Sequence, residues 1–139
     1  MDLASVNRFA RYGTIVVLVH GVTLGLHTAA HVQLEIFLSL IANLFIGVVI
    51  FIAPVAAAVL LWRGPRSFGA WLLFASMIGS LIFAGYNHFV VDSPDHVANV
   101  PSGTWGAVFV VSAVIMALIE VAGCGIGLWA VAAFRREAK

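Results

Sequence analysis

The chain has 139 residues, 63% of them hydrophobic and 9% charged, with a formal net charge of +1. A soluble domain carries about a quarter charged residues, so this composition excludes a water-soluble globule and leaves most of the apolar surface to face lipid. The sequence also offers no basic patch for nucleic acid, no phosphate-binding glycine loop and no nucleophile elbow.

Four long apolar segments follow one another, each near or above the roughly 20 residues that cross a bilayer. They predict spans over about 12–31, 36–62, 68–88 and 105–134, and hence an all-α integral membrane protein: one domain, a four-helix up-and-down transmembrane bundle. All seven basic residues precede the first span, separate the second from the third, or follow the fourth: Arg8, Arg11, Arg63, Arg66, Arg135, Arg136 and Lys139. By the positive-inside rule both termini are expected in the cytoplasm of a cell that carries the protein in its plasma or inner membrane. A basic start followed by an apolar run also fits a signal peptide with Thr28-Ala29-Ala30 as a weak cleavage site; a retained first span is the expectation here.

Within the first span, Gly13, Gly21 and Gly25 permit close helix approach. Its outer half carries His20, His27 and His31 on one face, with Glu35 a turn beyond. The second span holds Asn43 near its outer end and Pro54 deeper, where the missing backbone donor predicts a kink. Arg63-Gly64-Pro65-Arg66 reads as a tight turn. On the third span Gly69, Ser76, Ser80 and Asn87 share a small, polar face, and His88 ends it. The second outer connection carries Asp92, Asp95 and His96, with Ser93-Pro94 predicting a helical turn capped by Ser93. Gly123-Cys124-Gly125-Ile126-Gly127 on the fourth span marks a close helix contact, either inside the bundle or with a second copy or a larger membrane complex. Trp62, Trp71, Trp105 and Trp129 fall near span ends, as an aromatic belt does. The single cysteine, Cys124, excludes an intramolecular disulfide and any all-thiolate metal site.

Polar residues sort into two layers. The outer layer brings His27 and His31, spaced i, i+4 on one helix face, toward His88, Asp92 and His96. Imidazole and carboxylate donors of this kind suit a transition-metal ion, copper or zinc foremost. His27, His31, His88, Asp92 and His96 are the expected ligands, with Glu35, Asp95 and Asn87 behind them. The glutamate of an HExxH motif is absent, because Thr28-Ala29-Ala30 separates the two histidines. A b-type haem held between His27 or His31 and His88 is the alternative use of the same residues.

The inner layer holds His20 and Glu120 near mid-membrane, with Asn43 above them, where uncompensated charge is costly. A His20–Glu120 pair would handle protons, as in a small proton-coupled carrier. A hydrogen-bonded Glu120 would instead brace the helices. The functional expectation is therefore metal handling or a metal-dependent redox subunit. An accessory subunit of a larger complex, without chemistry of its own, is the rival.

Overall fold

The computed structural model describes residues 3–137. Four helices make up the fold: α1 (Leu3–Gln33), α2 (Leu40–Arg63), α3 (Arg66–Phe89) and α4 (Thr104–Glu137). Each is long and apolar enough to cross a membrane. The helix bounds run past the expected spans at most ends. The exception is the start of α2, which lies at Leu40 and not at Ile36, for a reason found in the turn before it.

That turn closes α1 with a Schellman motif. The amide of Ile36 donates to the carbonyl of His31 (2.9 Å) and that of Glu35 to Val32 (3.2 Å). The motif needs one left-handed residue, usually glycine, and here Glu35 supplies it with φ 56°. The extended residues that follow end at Ser39, whose hydroxyl accepts the amide of Ala42 (3.2 Å) and so caps α2. Residues 36–39 are thereby committed to caps and cannot join the helix.

Helix α2 is not uniform. Leu40–Phe45 is α-helical, Ile46–Ile52 is π-helical, and α-helix resumes at Ala53 with Pro54 in its first turn. Proline has no amide to donate and its ring crowds the carbonyl four residues back. The wider winding takes up that mismatch, with the Ala53 amide reaching the Val48 carbonyl.

The hydrophobic core is asymmetric along the bundle. At the end that carries the arginines, Phe9, Leu61, Leu73, Met77 and Val131 belong to one buried cluster contributed by all four helices. Toward the histidine end only Leu24, Ile50 and Met116 form a smaller one. The first segment of α2, Leu40–Phe45, has no buried residue. Gly123 and Gly127 of α4 face α3: a Cβ on Gly127 would lie 2.8 Å from the Phe74 backbone nitrogen, and one on Gly123 would meet the Met77 side chain at 2.7 Å. The glycine face thus makes a contact inside the bundle. Between the mid-bundle and the histidine end, the buried polar side chains of His20, His27, Ser80, His88, Ser112 and Glu120 share the interior with that smaller cluster.

Candidate metal centre

His27 and His31 lie one turn apart on α1, and His88 is in the last turn of α3. Their rings meet. His27 Nε2 lies 3.1 Å from His88 Nε2 and 3.2 Å from His31 Nε2. Ring nitrogens of the three residues all fall within 4.8 Å of one another, and among the described residues this group meets the spacing of a metal site. Phe109 of α4, fully buried, packs on all three rings with centroids 4.6, 5.0 and 5.3 Å away. It is the platform that keeps the imidazoles from turning aside.

The other nitrogen of each ring is engaged on the outside. His31 Nδ1 faces the Ile36 carbonyl at 3.2 Å, the carbonyl that the Schellman turn folds back over the helix end. His88 Nδ1 faces the Asp95 carbonyl at 3.0 Å. His27 Nδ1 lies 2.9 Å from the Ser112 hydroxyl, whose single proton is directed to the Val108 or Phe109 carbonyl at 2.6 and 3.0 Å. A carbonyl only accepts, and a serine whose proton is so engaged also accepts, so Nδ1 must be the protonated nitrogen in each ring. With all three rings neutral, the Nε2 lone pairs would face one another, an arrangement that a shared proton or a metal cation would relieve.

Asp95 supplies a fourth acceptor. Its Oδ1 is buried without a hydrogen-bond donor and lies 3.1 Å from His31 Nε2 and 3.4 Å from His88 Nδ1. A tetrahedral ion with ligand distances of 2.0–2.1 Å has donor atoms about 3.3 Å apart. Three separations, His27–His88, His27–His31 and His31–Asp95, are close to those edges at 3.1–3.2 Å, whereas Asp95 Oδ1 lies on the Nδ1 side of His88 and outside the three-histidine group that meets metal spacing. The three histidines therefore lie close enough to hold a metal ion, with the groups on their Nδ1 atoms, Ser112 among them, as orienting partners and Asp95 beside them.

The remaining expected residues are placed elsewhere. Asp92 is exposed and accepts from Asn99 Nδ2 at 2.7 Å. His96 Nδ1 accepts the Ala98 amide at 3.1 Å. Both stay in the connection, away from the three rings. Asn87 donates to the Phe83 carbonyl on its own helix. Asn43 donates to the Leu38 carbonyl. Glu35 acts through its backbone and leaves its side chain exposed. Asp95 stays in the supporting place expected of it, brought beside His31 and His88 because Ser93–His96 forms a turn and not a helix, with the His96 amide on the Ser93 carbonyl at 3.0 Å and the Asp95 amide on the Ser93 hydroxyl at 3.2 Å. That turn points Asp95 inward.

Two turns below, His20 Nε2 lies 3.2 Å from Glu120 Oε1, and Ser80 donates to the same oxygen. All three side chains are buried, and Glu120 Oε2 has no partner. The pair joins α1, α3 and α4 at mid-bundle, apart from the metal centre.

A cavity of about 210 Å³ opens beside the histidines, lined by α1, α2, α3 and Met116 of α4. A second hollow of about 480 Å³ lies beyond Ile36, Phe37 and Leu38, and Glu35, Ser39, Asn87 and Ser93 give it polar walls. Asp95 belongs to both. Comparison with protein-family models, curated proteins and solved structures gives no match. Function is therefore argued from the chemistry of the site.

Proposed function

We propose that the protein binds one divalent transition-metal ion in a His27–His31–His88 site, closed by Asp95, at the outer end of a transmembrane bundle. Its role would be metal handling or a metal-dependent redox step in the membrane. The observation that carries this reading is the set of three ring nitrogens within 4.8 Å of one another, with His27 Nε2 3.1 and 3.2 Å from those of His88 and His31 and an acceptor on each Nδ1. Zinc and copper are the first candidates, since three imidazoles and a carboxylate suit borderline ions and lack the thiolates that soft ions prefer.

A haem is disfavoured by the same contact distances. Axial ligands need a macrocycle plane between them, and the three rings already touch. The polar walls of the larger hollow give a hydrated ion a route to Asp95 that avoids the apolar cavity. The His20–Glu120–Ser80 cluster supports a bracing role, because its hydrogen bonds link three helices.

The test is elemental analysis of protein purified without a nickel resin, followed by titration of chelator-stripped protein with zinc and copper. One ion per chain is expected. Protein that neither retains nor rebinds an ion, although folded and monodisperse, would refute the reading.

A further inference from the structure

The cavity beside the histidines has features that a metal site by itself does not require. Its volume is about 210 Å³; for scale, a cavity of about 150 Å³ holds benzene. It is therefore sized for one substituted ring and too small for a fused polycycle. Its walls are Phe83, Met116, Ile46 and Ile50. Phe83 is held flat by stacking on Phe45, with centroids 4.8 Å apart and ring planes 22° apart. A flat aromatic wall and a thioether together are a favourable bed for an aromatic ring.

One end of this apolar chamber is polar: His31, His88 and Asp95 line it. Asp95 Oδ1, buried and without a donor, is an acceptor waiting for a hydroxyl. The other end opens between Val32 and Phe37, which are 59% and 81% exposed. Leu40, Ile41 and Leu44 beside that mouth are exposed as well. On a helix that crosses a membrane, such a rim faces acyl chains and not water. The π-helical turns of α2 run along the chamber at Ile46 and Ile50, and the segment of α2 before them, Leu40–Phe45, has no buried residue.

We infer that this chamber is a binding site for a lipid-dissolved phenol-class molecule: a single hydroxylated aromatic ring with an aliphatic tail. The ring lies against Phe83 and Met116, the hydroxyl reaches the His31–Asp95 end, and the tail leaves through the Val32–Phe37 mouth into the bilayer. The inference builds on the proposed site but does not need its ion. The hydroxyl donates to Asp95 Oδ1 or to a free Nε2 when no ion is bound, and offers its oxygen to the ion when one is.

The test uses the full chain in phosphatidylcholine nanodiscs, chelator-stripped in one arm and zinc-loaded in the other. The probe is a ring-fluorinated long-chain alkylphenol followed by fluorine NMR, with tail-less fluorophenol for comparison. Saturable binding is expected in at least one arm, and the tail-less compound is expected to bind at least tenfold more weakly. Ile50→Phe and Ile46→Trp fill the chamber from α2, the helix that carries none of the three histidines. Each is expected to weaken probe binding at least tenfold while metal content stays at the wild-type value. Binding that is absent from both arms of the wild type, or unchanged in both filled variants, overturns the inference. Absent metal with intact probe binding defeats only the metal reading.

Discussion

Replacing His88 with alanine is the most informative perturbation. His88 Nε2 is one of three converging donors, 3.1 Å from His27 Nε2, and its Nδ1 holds the Asp95 carbonyl at 3.0 Å. Alanine therefore removes one donor and loosens the residue that carries another. Four-donor zinc sites are worth about 10–16 kcal/mol, so one donor accounts for about 2.5–4 kcal/mol. At 1.4 kcal/mol per decade, His88→Ala should weaken zinc binding by about two to three orders of magnitude. Affinity is read by competition with a chromophoric chelator on stripped protein. His96→Ala is the internal control, because His96 stays in the connection with its Nδ1 on the Ala98 amide, and it should bind as wild type. The reasoning fails if folded His88→Ala binds zinc within about tenfold of wild type, a difference of only 1.4 kcal/mol. It also fails if His96→Ala loses as much as His88→Ala.

Ser112→Ala removes the acceptor that fixes the His27 tautomer and should weaken metal binding about 10–100-fold with the ion count unchanged at saturation; the same competition assay reads it. Metal retention should fall as pH drops through the imidazole range, because the ligating form of histidine is the neutral one and protons compete with the ion; dialysis across a pH series followed by elemental analysis measures this, and retention that rises on acidification would contradict it. Glu120→Leu leaves His20 Nε2 and the Ser80 hydroxyl without their shared partner and should destabilise the bundle by about 1–3 kcal/mol per orphaned group while sparing metal content; denaturation in detergent micelles and metal analysis together separate the two effects. Gly127→Ala drives a Cβ against the Phe74 backbone, whereas Gly125→Ala meets nothing within 4 Å; only the first should lower the unfolding midpoint.

The helix count and the histidine end were legible in the chain because both are local properties. Length and apolarity decide a span, and i, i+4 spacing puts His27 and His31 on one face whatever surrounds them. The meeting with His88 was foreseeable from the shared side of two connections. Asp92, His96 and Asp95 were not separable that way. They sit within five residues of one another in a turn, and which one points inward depends on the Ser93 hydrogen bonds and not on residue type. Phe109 and Ser112 gave no signal at all. A phenylalanine and a serine on an apolar helix are ordinary, and the register of α4 against α1 is not written in either sequence.

The sequence by itself therefore determined four apolar helices, their alternating charge and a histidine pair ready for an ion, since composition and periodicity act through the nearest few residues. Only the tertiary structure decided that the three rings share one platform on Phe109. It also decided that each Nδ1 finds an acceptor, so that the Nε2 atoms of the three rings turn toward one another, with Asp95 beside that of His31. Those contacts join residues up to 85 positions apart, and their geometry is set by how the helices pack.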